Sequence, residues 1–295
     1  MALYAFDGTG NEDREGELRD SNVLRFFEAY EDPRKDDNRN SDDPLGSIYL
    51  KGIGQMARTF FGDKLAEAFG IGGHRRIRQA MRRLRNNLKD DDRVVDVVGF
   101  SRGAGLAISF ANDVCEQFGD DLRIRFLGLW DTVGQFGLPG EHLQAGHDLN
   151  CPTNIDHCFH AMAIDEDRAL FPLTRMQDDR TVNGFTEAWF RGVHSDVGGG
   201  NGNRPLNAVS LHWMFKAATR AGVPLSNAAI AANLALRNVA QPIKEHGFTL
   251  DAERKPKSHE LLHVSVMAHP GRLDPAFQRL SQIDDEGVVQ APAIR

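Results

Sequence analysis

The chain has 295 residues, 41% of them hydrophobic, enough for a sizeable core. Its 35 Lys and Arg against 42 Asp and Glu leave a net charge of −7, which argues against nucleic acid as a partner. No run approaches the length of a membrane span, and the opening MALYAFDGTGN lacks the basic-then-apolar pattern of a Sec signal. Three sparse cysteines, Cys115, Cys151 and Cys158, build no disulfide framework, so synthesis is expected in the reducing cytoplasm.

In chain order, Leu3–Phe6 reads as a short apolar strand running into the glycine-rich loop Asp7-Gly8-Thr9-Gly10-Asn11. Ser21 and Asn22 are candidate caps for a helix carrying Val23, Leu24, Phe26 and Phe27. The charged, proline-containing stretch Glu31–Pro44 reads as a mobile surface loop. Ile48–Lys51 is a second short strand. A helix is expected over Lys64–Phe69, followed by an amphipathic basic helix from His74, with Ile77, Ala80, Met81, Leu84 and Leu88 on its apolar side. Leu122–Leu129 and Glu187–Val193 read as core strands, Asn154–Asp165 as a helix, and Thr132–Pro152 as a loop over the site. Asn207–Ala221 and Ser226–Ala235 are two apolar helices, Leu261–Met267 is a last strand, and the polar tail from Pro270 is expected to dock loosely or fray. Strands alternating with helices imply an α/β fold: one domain over 1–295, with a mostly parallel sheet covered on both faces.

The most informative stretch is Val94–Asn112, VVDVVGFSRGAGLAISFAN. It combines an apolar strand, the turn Gly99-Phe100-Ser101-Arg102-Gly103 and a small-residue helix. That is the context of a G-x-S-x-G nucleophile elbow, in which a serine is raised above the sheet on a sharp bend. A serine nucleophile needs a histidine base, and the base needs an orienting carboxylate. The carboxyl ends of parallel strands share one sheet edge. Asp131 follows one core strand and His194 another, so Ser101, Asp131 and His194 are the candidate catalytic residues. Asp196 is the rival carboxylate and His263 the rival base. His160, His157 and His147 have weaker claims. The oxyanion donors are expected from the Arg102 amide and from the loop after the first strand, at Gly8 or Thr9. Position 5, where an aspartyl-phosphate mechanism would need its nucleophile, is Ala5. No Walker pattern occurs and no zinc spacing is present, so neither metal nor cofactor is expected.

Five motifs occur in order: Phe6-Asp7-Gly8-Thr9-Gly10-Asn11, Gly52-Ile53-Gly54, Gly99-Phe100-Ser101-Arg102-Gly103-Ala104, Leu127 to Gly134 and Gly192 to Gly200. The set resembles the DUF2235-type α/β-hydrolase family, which includes the catalytic domains of type VI secretion lipase effectors of the Tle1 class. The resemblance implies an α/β-hydrolase fold and a serine esterase with phospholipase A activity. It puts the nucleophile on Ser101, the acid on Asp131 and the base on His194. It also implies an ester or phospholipid substrate, transient contact with a membrane surface, a secretion or immunity partner protein, and export by a type VI-like route. The effectors usually carry a large extra region for membrane contact, and little in this sequence is expected to serve as one. A stand-alone intracellular esterase is therefore the first alternative, and a catalytically silent binding module the second. Apolar residues in Phe60–Phe69 or Phe136–Leu149 are the candidates for touching lipid.

Overall fold

The computed structural model describes residues 1–9, 19–34, 44–52, 63–134, 152–169, 171–176, 184–244 and 253–292, with side chains of the long helix described from residue 72. Nine strands form one sheet: β1 Ala2–Phe6, β2 Ile48–Leu50, β3 Val95–Phe100, β4 Ile124–Trp130, β5 Ile155–Ala163, β6 Phe185–Phe190, β7 Leu261–His263, β8 Gln282–Ile283 and β9 Val289–Gln290. Their spatial order is β2-β1-β3-β4-β5-β6-β7-β8-β9, and every neighbour is parallel except β8 and β9. β1, β3 and β4 are buried almost throughout their length, as expected for strands covered on both faces.

The helices are α1 Asn22–Ala29, α2 Asp63–Lys89, α3 Arg102–Phe118, α4 His194–Gly198, α5 Arg204–Arg220, α6 Asn227–Leu236 and α7 Val264–Ala268. Two apolar layers fill the space between them and the sheet. On one face Tyr4, Phe6 and Val97 pack with Ile77 and Leu84 of α2 and Phe110 of α3. On the other, Leu3, Val98 and Trp130 pack with Phe26 of α1 and Trp213 and Phe215 of α5. The result is an α/β-hydrolase-like architecture, a mostly parallel sheet with helices on both faces.

Several expectations need correction. Asn154–Asp165 is not a helix but contains β5, in the middle of the sheet. Ile155, Cys158, Phe159 and Met162 recur at a helical spacing, yet a strand buried from both sides needs no alternation, so period alone misleads there. The two helices expected on either side of Gly70–Gly73 are one, α2. Leu261–Met267 divides into β7 and the single-turn α7. The tail adds β8 and β9 to the sheet instead of fraying. Ser21 caps α1 as expected, its Oγ accepting from the Leu24 amide at 3.1 Å. Most of the Glu31–Pro44 loop, Ile53 and Gly54 of the second glycine turn, most of Thr132–Pro152 with Cys151 and His147, and the candidate lipid-contact stretch Phe136–Leu149 lie outside the described residues. So do Phe60 to Gly62, and the side chains of 63–69 are likewise not described.

Candidate active site

Register sets the site. Gly99 pairs with Leu129 and Phe100 with Trp130, so β3 and β4 end side by side. Ser101 and Asp131 are the next residues of each strand. Ser101 has φ 59° and Asp131 φ 39°, both in a region that costs a non-glycine residue about 1–3 kcal/mol. The strain is held by backbone stitches. The Ser101 amide donates to Trp130 O at 3.0 Å, Val133 N–H to Ser101 O at 3.1 Å and Asp131 N–H to Ala161 O at 2.8 Å. The elbow needs its glycines because the chain turns back on itself. A Cβ at Gly99 would stand 2.6 Å from Ala104 Cα, and one at Gly103 2.4 Å from Phe6 O. Neither neighbour can move, since both are main chain.

His194 opens α4, four residues beyond the end of β6. Its Nε2 lies 2.8 Å from Ser101 Oγ and its Nδ1 2.6 Å from Asp131 Oδ2. Ser101, His194 and Asp131 thus form one hydrogen-bonded chain from three separate segments, and all three are buried. The rings of Phe100 and Phe171 lie against the imidazole, with centroids at 4.6 and 4.7 Å. With a neutral imidazole, the carboxylate fixes the proton on Nδ1 and leaves Nε2 as acceptor for the serine proton.

Electrostatics favour that state. Burial by itself would raise the Asp131 carboxyl. The Arg254 charge, then the hydrogen bond and charge of His194, overcome it and hold Asp131 well below the usual carboxylate range. Burial pushes His194 down, Asp131 pulls it back through hydrogen bond and charge, and Arg254 again opposes the imidazolium; the net direction is down. That direction favours the neutral imidazole.

The rival residues are engaged elsewhere. Asp196 accepts from the side chains of Asn201 (2.7 Å) and Asn203 (2.8 Å) and from Lys244 N–H (3.1 Å), tying loops behind α4. His263 meets Ser265 and Asp285, not Ser101. His160 is a buried support: its Nε2 accepts the Thr132 amide at 3.1 Å, next to Asp131, and its Nδ1 faces Glu187 at 2.8 Å. His157 is only half-buried.

The amide of Gly8, the expected donor of the loop after β1, donates to Asp7 Oδ1 at 2.6 Å, and the other Asp7 oxygen is held by the hydroxyls of Ser21 and Tyr49. In this conformation the Gly8 amide is engaged by the Asp7 carboxylate. The reason is the acceptor strength of a buried carboxylate one residue away. The Arg102 amide is the first of α3, at the positive end of a 17-residue helix.

Three residues of the site escaped the sequence reading. Arg254 Nη1 donates to Asp131 Oδ1 at 2.6 Å. Glu166 accepts the His194 amide at 3.0 Å and pairs with Arg168. Phe171 walls the imidazole. The acidic run after β5 offered a signal only once β5 was known to be a strand. Arg254, inside a polar stretch, offered none.

The family model for the type VI secretion phospholipase effector Tle1-like catalytic domain matches residues 3–119 and 109–217. The chain belongs to that family. Among solved structures, this Tle1-like domain is similar to an uncharacterised protein from Pseudomonas aeruginosa, with 21% identity, TM-score 0.52, and coverage of 76% of this chain and 46% of that one. It also matches the structure of a Tle1 effector bound to the VgrG spike of the type VI secretion system, with 23% identity, TM-score 0.47, and coverage of 68% and 51%. This chain thus spans about half the length of the solved structures it matches. A search of curated proteins gives no match. Among the described residues, no helix is long and apolar enough to cross a membrane.

Proposed function

We propose that this Tle1-like domain is a serine hydrolase that cleaves acyl esters of phospholipids through an acyl-enzyme. The observation that carries the reading is the unbroken chain from Ser101 Oγ through His194 to Asp131, built on a strained elbow at the edge of a parallel sheet. The family's phospholipase effectors supply the substrate class.

Ser101 Oγ attacks the ester carbonyl as His194 Nε2 takes its proton. Asp131 keeps the imidazole in the required tautomer and stabilises the imidazolium as it forms. The Arg102 amide receives the oxyanion. Gly8 is the second donor, and its amide would leave Asp7 as negative charge develops on the carbonyl oxygen. His194 then returns the proton to the leaving alcohol. Water, deprotonated in turn by His194, releases the fatty acid and restores Ser101. Delivery by a type VI route follows from the family and is part of the same proposal, as is transient contact with the lipid surface.

The test is labelling by a fluorophosphonate probe together with acyl release from phospholipid vesicles and from short p-nitrophenyl esters. The wild-type chain is expected to label at Ser101 and to release fatty acid from vesicles. Labelling that survives in Ser101→Ala sinks the nucleophile assignment. Turnover of short esters with none on vesicles moves the substrate to soluble esters. A folded chain that neither labels nor turns over is a silent binding module.

A further inference from the structure

Asp131 is gripped at both oxygens. Oδ2 faces His194, while Oδ1 accepts the Ala163 amide at 2.8 Å and Arg254 Nη1 at 2.6 Å. The same guanidinium donates from Nη1 to Ala163 O at 2.8 Å and from Nη2 to Phe171 O at 2.7 Å. Phe171 is the residue whose ring lies against His194. One buried side chain therefore joins the acid, the end of β5 and the wall of the base. It arrives from beyond residue 217, where the family match ends. A planar fork suits three divergent acceptors in a way that an ammonium does not.

We propose that Arg254 is a positioning residue for the Ser101–His194–Asp131 chain, holding the carboxylate in the orientation His194 requires by tying it to Ala163 O and Phe171 O. The proposal rests on the hydrolase reading above. Among the described residues, the groups around the imidazole are few. Asp131 faces Nδ1 and Ser101 faces Nε2. Glu166, itself paired with Arg168, accepts the His194 main-chain amide. Phe100 and Phe171 lie against the ring. Asp131 and Glu166 favour the imidazolium and Arg254 opposes it; burial adds to the Arg254 side. Removing the arginine takes away one of the two influences that oppose the carboxylates, burial remaining, and takes one donor from Asp131 Oδ1.

A plain structural staple makes a different forecast. It would lower thermal stability while leaving the titration of His194 where it was. The experiment follows the imidazole Nδ1–H resonance of His194 against pH in the whole chain, in wild type, Arg254→Met and Arg254→Lys, beside Tm and the kcat/KM profile. Arg254→Met is expected to titrate at higher pH, to move the acid limb of kcat/KM the same way, and to lower kcat about 100-fold through the misplaced carboxylate. Arg254→Lys, which keeps the charge but not the fork, is expected to titrate near wild type with kcat only partly restored. If Arg254→Met does not fold, Arg254→Gln, a donor without charge, carries the same forecast. A His194 titration identical to wild type in the folded uncharged variant overturns the proposal. The resonance is read on resting protein, so an unmoved titration defeats this inference alone. Failure of wild type to label at Ser101 defeats the hydrolase reading alone.

Discussion

Among the described residues, two serine–histidine–aspartate groups stand at the carboxyl edge of the sheet, and they are not equivalent. In the first, Ser101, His194 and Asp131 come from three segments. In the second, Ser265 Oγ lies 2.7 Å from His263 Nδ1 and His263 Nε2 lies 3.2 Å from Asp285 Oδ1. By residue type and distance the two look alike. They differ in the backbone beneath the serine. Ser101 sits at φ 59° ahead of a 17-residue helix. Ser265 lies within the five-residue α7, two residues after its histidine, and its amide donates to His263 Nδ1. There the imidazole acts as a helix cap, and Asp285 is also bound to Arg237 at 2.6 Å. A hydrogen-bonded trio by itself therefore does not mark a nucleophilic serine. The serine must also be raised on a bend that faces oxyanion donors.

The contrast can be broken most directly at the serines. Ser101→Ala is expected to lower kcat on an ester substrate roughly 10^4- to 10^6-fold, and Ser265→Ala by no more than about threefold. Similar losses from both would erase the distinction. The carboxylates sharpen it next. Asp131→Asn is expected to cost about 10^4-fold in kcat by favouring the wrong imidazole tautomer. Asp196→Asn and Asp285→Asn should act mainly on stability, about 1–3 kcal/mol in chemical denaturation, by disturbing buried hydrogen bonds. If Asp196→Asn cost more turnover than Asp131→Asn, the acid would have to be reassigned.

The elbow itself can be tested through packing. Gly103→Ala puts a methyl against the main-chain oxygens of Phe6 and Asp7, and a loss of about 3 kcal/mol or more is expected in urea unfolding. A pH profile gives a subtler reading. His194 must be neutral to act as base, and burial first, with Arg254, holds it below its free value of about 6.5. Activity is therefore expected to persist as pH falls below that value and to drop only as His194 becomes protonated. An acid limb of kcat/KM above it would mean that the Asp131 charge outweighs both. The smallest effect belongs to the second trio. Ser265→Ala should cost about 1 kcal/mol of stability, one hydrogen bond, with the titration of His194 unchanged.

Much of the candidate site was legible in the chain because its signals are local. Gly99, Ser101 and Gly103 form a tight turn between an apolar strand and a helix. Asp131 and His194 each follow an apolar run by a few residues. The parallel reading of those runs placed them on one edge without coordinates, since parallel strands end together. Where a second signal was needed, the reading stopped. β5 carried a helical spacing of apolar residues although it is a strand buried on both faces. The tail looked polar although it completes the sheet. Gly8 was expected to offer its amide, but the orientation of that group depends on a carboxylate held by Ser21 and Tyr49, residues far along the chain.

By itself, then, the sequence determined the strand-turn-helix of the elbow, the alternation that makes an α/β sheet, and the three residue types at its edge. These depend on steric and periodic rules acting over a few residues. The tertiary structure alone decided that β3 and β4 are neighbours in register, that His194 and not His263 reaches Ser101, and that Arg254 grips Asp131. In the site, tertiary contacts join Thr132 to His160, 28 positions apart, and Asp131 to Arg254, 123 positions apart. No local pattern records such contacts, because the energy that selects them comes from packing and desolvation across the whole sheet.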